Sequence, residues 1–180
     1  MRKNGFSTIE LLVTMIILAI VALIAIAGFS RWLPNYRLRV AARDVFSNFQ
    51  HARLTAVKLH GVCAITFRQD VGGTIYDYVL FVDKDSDLEF DEPGDEVLAK
   101  VLFLEQYPGV TFDLTKGGGD GIDFPANDDA LPAIGFLSNG FSVDNAGNPA
   151  AGSLFLTLTN ATGREREVAV SAAGNVTIIE

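Results

Sequence analysis

The sequence predicts an α+β chain: one long N-terminal helix, its first half apolar enough to be transmembrane, packed on an antiparallel β-sheet or sandwich head. Three observations carry that prediction. Leu11 to Phe29 is a continuous apolar run with Thr14 as its one polar residue, and about 18 such residues suffice to cross a bilayer as a helix. Leu38, Ala42, Val45, Phe49, Ala52, Ala56 and Leu59 then recur in alternating steps of four and three, which is one stripe of a helix. From Val62 onward the period falls to about two, in short runs bounded by Gly, Asn and Asp, the pattern of strands joined by turns.

Taken in order, residues 1–5 are a short basic leader, and Arg2 and Lys3 place the N-terminus in the cytoplasm and the remainder outside it. Residues 6–29 form the spanning half of the helix. Glu10 does not suit a plain anchor, because an ionisable group at membrane depth costs a few kcal/mol and calls for a partner. Arg31 and Trp32 fit the membrane interface, and Pro34 is expected to kink the helix without ending it. Residues 30–60 form the amphipathic half, giving a helix of roughly 80 Å at 1.5 Å per residue, with Gly61 as its stop.

Residues 61–180 form the head. Strands are expected at Val62 to Arg68 and Ile75 to Val82 across a hairpin at Gln69 to Gly73, then at Val97 to Leu104, Val110 to Leu114 and Ala133 to Leu137. Residues 115–130 read as loop. A meander of Ser153 to Thr159, Arg164 to Ser171 and Val176 to Ile179 closes the chain, turning at Asn160 to Gly163 and at Ala173 to Asn175.

Charge and cysteine content narrow the functional classes. The net charge of −8 is split: residues 1–60 hold eight Lys/Arg against Glu10 and Asp44 (+6), and the rest holds six against twenty acidic residues (−14). Such a head repels phosphate backbones, which counts against nucleic acid as a partner. Arg164 and Arg166, alternating on one strand, are the one small cationic patch that a DNA-binding reading would use. Cys63 is the single cysteine, so no intrachain disulfide forms, and its apolar strand setting suits a buried, inert thiol. Asp83, Asp85, Asp87, Asp91 and Asp95 imitate the start of a calcium loop, but Leu88 stands where the turn glycine belongs and Gly94 where the bidentate glutamate belongs. A solvated acidic turn is favoured over calcium, and no cofactor is expected. His60 near Cys63 invites a thiol–imidazole pair, yet nothing else builds a site around them. The chain reads as a structural part and not an enzyme.

Gly5 before Phe6, Glu10 four residues further on, and the apolar run after it resemble the prepilin signal of type IV pilins and type II secretion pseudopilins. Ser47 to Lys58, the strand pair at 62–83, the acidic turn ending Gly94-Asp95-Glu96-Val97, Ile134-Gly135-Phe136 with Gly140, and Arg166 to Ser171 with Gly174 narrow the resemblance to the GspH/FimT group of minor pseudopilins. The resemblance implies a pilin-like fold, cleavage by prepilin peptidase between Gly5 and Phe6, N-methylation of Phe6, and helices packed into a filament core. It also implies that Glu10 pairs with the Phe6 amine of an adjacent subunit. The expected partners are other pilins or pseudopilins, the peptidase and the bacterial inner membrane, crossed once with the head in the periplasm or on the filament. Two alternatives stand beside this: a DNA-capturing minor pilin, and a periplasmic binding protein released by signal peptidase at Ala25-Ile26-Ala27.

Overall fold

Helix α1 runs from Thr8 to Leu59 without a break, 52 residues and about 80 Å long. The structure is a computed structural model describing residues 7–159 and 164–179, apart from the side chains of residues 26, 27, 30 and 31. The helix continues through Pro34. It ends on His60, which takes the left-handed conformation (φ 54°) and donates its amide to Ala56 O. The expected glycine stop is therefore displaced by one residue: Gly61 follows the cap and does not form it.

Among the described residues twelve strands follow: β1 Val62–Phe67, β2 Asp70–Val71, β3 Thr74–Ile75, β4 Tyr78–Asp83, β5 Glu96–Val101, β6 Val110–Phe112, β7 Ile122–Asp123, β8 Ala133–Phe136, β9 Ser142–Val143, β10 Gly152–Leu158, β11 Glu165–Val170 and β12 Val176–Ile179. One short helix, α2 at Phe103–Gln106, lies between β5 and β6. Among the described residues the strands build two larger antiparallel sheets, ordered β5-β4-β1-β8-β9 and β12-β11-β10-β6, with β7 also on β10 and a small β2-β3 ribbon apart. The hairpin predicted across Gln69 to Gly73 is that ribbon, so the second long strand begins at Tyr78, not Ile75. The strand predicted to reach Leu104 stops at Val101 and gives way to α2. The loop at 115–130 contains β7, and β9 is too short to show a period. The turn at 160–163 lies outside the described residues.

The core is where the helix stripe meets both sheets. Leu38, Ala41, Ala42, Val45, Phe49, Ala52 and Ala56 of α1 are buried. They pack with Cys63, Ile65 and Phe67 of β1, Leu80 of β4, Phe136 of β8, Leu154 and Leu156 of β10, and Val168 and Val170 of β11. Leu59, counted in the predicted stripe, is exposed, whereas Ala56 in the same last turn is buried. Phe49 sits among Phe124, Phe67 and Phe136 with ring centroids 5.8, 6.4 and 6.4 Å away. Ser142 Oγ lies 2.7 Å from both Ala150 O and Ser171 O and shares its one hydroxyl proton between them, tying the edge of one sheet to the end of the other.

All six residues of β1 are buried, which period-two alternation alone does not predict. The reason is a second core on the far face of the same sheet, made of Val62, Ala64, Val71, Val79, Phe81, Ala133 and Leu88. Leu88 belongs to the acidic loop after β4. Its side chain fills the space over Gly135, where a Cβ would come within 2.5 Å of Leu88 Cδ2 and 3.3 Å of Val143 Cγ2. Leu88→Ala is therefore expected to cost about 2–5 kcal/mol in urea unfolding of the detergent-solubilised chain. Gly135→Ala should be destabilising in the wild type and markedly less so beside Leu88→Ala. Strictly additive effects would mean that the two residues do not share this space.

Candidate functional site

The N-terminal half of the helix is the first candidate surface. Thr8–Ala25 is an 18-residue apolar segment none of which is buried within the molecule. Ser7 precedes it in extended conformation, and its carbonyl accepts from the amides of Glu10 and Leu11 at 3.0 and 3.1 Å. Thr14, the one polar residue of the run, turns its hydroxyl back to Leu11 O at 2.8 Å, so it presents little free polarity to lipid. Glu10 lies in the first turn with an exposed side chain, and among the described residues no cation pairs with it. Gly5 and Phe6 lie outside the described residues.

The acidic loop is the second. Asp83 closes β4 and is only 3% exposed. Its carboxylate accepts from the amides of Ser86 (2.7 Å) and Leu88 (3.0 Å), and this turns the chain so that Leu88 points into the sheet. The carbonyl of Leu88 accepts from Thr66 Oγ1 (3.1 Å) and Asn127 Nδ2 (3.0 Å). Asp95 accepts from the amides of Lys84 (3.2 Å) and Asp91 (3.0 Å), closing the loop on itself, and Lys84 Nζ donates to Gly94 O. Of the five aspartates with calcium-loop spacing, Asp83, Asp85 and Asp87 have oxygens within 4.8 Å of one another. Asp91 and Asp95, joined by the backbone hydrogen bond just described, are not part of that trio. The arrangement has a hard-cation donor set, but both Asp83 oxygens already hold backbone amides, and one Asp87 oxygen holds the Glu89 amide at 2.9 Å. Turn geometry accounts for these contacts without an ion. The signal sequence reasoning missed is Leu88 itself, a lone leucine inside a charged run.

The predicted cationic pair takes a different place from an outward patch. Arg166 shares the face of β11 with the buried Val168 and Val170, while Glu165 and Glu167 occupy the opposite face. There Glu165 meets Lys116 Nζ at 3.4 Å and Glu167 accepts from Ser153 Oγ at 2.6 Å. Arg164 stands just before β11 and lines a groove with Tyr36 and Arg39 of the helix. His60 caps the helix, and Cys63 is fully buried with its thiol pushed up to about 11, chiefly by burial and then by Asp83 and Glu96. A thiol so protonated is a poor nucleophile.

Comparison with known proteins agrees with this geometry. The prokaryotic N-terminal methylation motif matches residues 1–26, and the family described as type II transport protein GspH matches residues 41–174. The chain belongs to the GspH family. It is a minor pilin or pseudopilin, a structural subunit whose family membership implies assembly with other pilins in a filament. Two crystal forms of the type IV minor pilin FimU of Pseudomonas aeruginosa resemble it at 16% identity. One has a TM-score of 0.52, covering 83% of this chain and 92% of FimU. The other has a TM-score of 0.49, with 79% and 93% covered. The first likeness supports the pilin fold of this GspH-family chain and nothing finer. No curated protein sequence matches the chain.

The buried Asp83 gives the loop a pH signature. Burial, aided by the charges of Asp87 and Asp95, pushes its carboxyl from 3.8 to about 6, outweighing the two amide bonds. A folded-state pKa above the unfolded one means stability that is full below about pH 3.8 and lost as pH rises through about 6. Relative to Asp83→Asn, the wild-type chain is expected to lose about 1–3 kcal/mol across that window. Urea unfolding of both proteins at a series of pH values measures it; parallel pH profiles would remove Asp83 as the cause.

Proposed function

We propose that the chain is a single-pass inner-membrane protein, head in the periplasm, that prepilin peptidase cleaves between Gly5 and Phe6 and that carries an N-methylated Phe6. The new terminal amine and Glu10 of neighbouring subunits then pair as the subunit enters a pilus or a secretion pseudopilus. The observation that carries this reading is the exposed Glu10 carboxylate in the first turn of an 18-residue apolar segment with no burial of its own. A lone carboxylate there costs a few kcal/mol in lipid. A cation from a second subunit removes most of that cost and fixes the axial register between the two helices. Polar groups at membrane depth are held in this way, by partners on neighbouring helices.

The amphipathic half does a different job. Its stripe is spent on the chain's own head, so the segment left for filament contacts is the N-terminal span and the outer face of the helix. The reading includes no cofactor and no catalysis by this chain.

Glu10→Ala is expected to leave the protein membrane-bound and its head folded while removing it from sheared filaments. Normal recovery of the variant in filaments would end the register role. Intact mass of the membrane-extracted wild type is expected to begin at N-methylated Phe6; a start at Met1 or Gly28 would overturn the processing route.

A further inference from the structure

The structure has a second charged feature that the assembly reading leaves unused. Gly28, Trp32, Asn35, Tyr36 and Arg39 of α1 and Arg164 before β11 line a half-open groove of about 510 Å³. Two of its lining residues are aromatic and stacked: Trp32 lies on Tyr36 at 5.1 Å with the rings 19° apart. Two arginines line it, one from the helix and one from the head. Among the described residues no carboxylate forms a salt bridge with either.

The height of this groove along the helix decides what it can meet. Trp32 stands three residues past the end of the apolar run, the interfacial level that tryptophan prefers. Arg39 lies seven residues further on, about 10 Å higher at 1.5 Å per residue. Outside the hydrocarbon, each headgroup layer is some 5–8 Å deep. With Trp32 at the boundary, the backbone of Arg39 stands a few ångströms beyond the headgroup layer, close enough for its long side chain to reach back to the phosphates, and Arg164 lines the same groove. Guanidiniums bind phosphate oxygens in a bidentate way.

We propose that this groove binds the headgroup phosphate of an anionic phospholipid, clamping it between Arg39 and Arg164 over the Trp32–Tyr36 pair. The clamp sets the depth and tilt of the subunit while it waits in the membrane. Because Arg164 belongs to the head, the lipid would fix the head to the membrane surface as well as the helix. The inference rests on the membrane-inserted reading of the N-terminal span.

Trp32 is the chain's only tryptophan, so its emission reports on the groove alone. The full chain is reconstituted into phosphatidylcholine vesicles containing brominated phosphatidylglycerol or brominated phosphatidylcholine at equal mole fraction. Brominated phosphatidylglycerol is expected to quench Trp32 more strongly. That preference should fall about fivefold for Arg39→Gln and again for Arg164→Gln, and lysine at either position should restore part of it. Equal quenching by the two lipids, or a preference that survives both substitutions, overturns the site. A short DNA duplex that shifts Trp32 emission in neutral vesicles and displaces the anionic lipid would assign the phosphate to nucleic acid and overturn it too. Buried Cys63 serves as the folding control: it stays unreactive to iodoacetamide wherever the head is intact. Should Arg164→Gln fail that control, Arg39→Gln, on the exposed helix face, carries the test. Vesicle flotation separates the two readings: a chain that does not float overturns membrane insertion, and one that floats without lipid preference overturns only the groove.

Discussion

Phe49 packs against rings from β1 and β8 of one sheet and against Phe124, the residue after β7, the short strand that pairs with the other sheet. Around it the stripe is made of alanines: Ala41, Ala42, Ala52 and Ala56, all buried. Small residues let the helix axis approach the sheets closely, and the one large ring fills the space left between them. Burial of a side chain of this size is worth about 1.5–3 kcal/mol, and its loss also opens a cavity. No other element touches as much of the head. Beyond the helix, the two halves of the head are joined by Phe67 of β1 stacked on Phe124 at 5.3 Å, by Arg68 lying over Phe112 of β6 at 5.9 Å, and by the Ser142 contacts.

That seating ties the membrane half of the chain to the head mechanically. The helix is continuous from the first turn that holds Glu10 to the cap at His60. A displacement along the axis at Glu10 is therefore carried to Phe49 and the two sheets, with Pro34 the one position where a backbone hydrogen bond is missing by necessity. Side contacts reinforce the coupling. Arg37 donates to Pro108 O at 3.1 Å, Asn48 to Tyr78 Oη at 2.7 Å, and the Tyr107 hydroxyl to Asp44. At the far end Arg53 packs beside Gly140 and Gly174. There a Cβ on Gly174 would strike Gly140 O at 2.0 Å, and the φ of +73° also favours glycine. A filament subunit needs this property, since register set in the core is useful only if the head follows it.

The long elements were legible because each shows its period. The apolar run, the four-three stripe and the closing meander all have enough residues for periodicity to declare itself, and the described strands fall within a few residues of where those patterns place them. What escaped did so for reasons of length or tertiary context. Strand β9 is two residues long, and α2 is four, below the length at which either period can be seen. Ala41 was missed because alanine reads as neutral off the stripe. The helix stop went to His60, which takes the left-handed conformation itself instead of leaving it to the neighbouring glycine. As for the sites, Glu10 was legible as a charge out of place, whereas the groove joins Arg39 and Arg164 across more than a hundred residues of chain. No local pattern could have paired them.

The acidic loop illustrates how a charged run can be structural. Its residues carry the densest negative charge of the chain, and a loop of that composition would ordinarily be held off the surface by self-repulsion. It is held down instead by Leu88, buried in an apolar pocket over Gly135, and by Asp83, whose carboxylate spends both oxygens on the amides that aim Leu88 inward. Phe90 on Phe81 at 5.3 Å and Lys100 against Glu92 at 3.6 Å pin its far side. The loop thereby covers the face of the sheet that the helix does not reach, which is why β1 is buried on both faces. The charge is what remains outside once that cover is in place. The basic residues lie along the helix near the membrane, and the acidic cover lies on the sheet face opposite the helix. Orienting the subunit and covering the sheet are thus assigned to separate surfaces of one head.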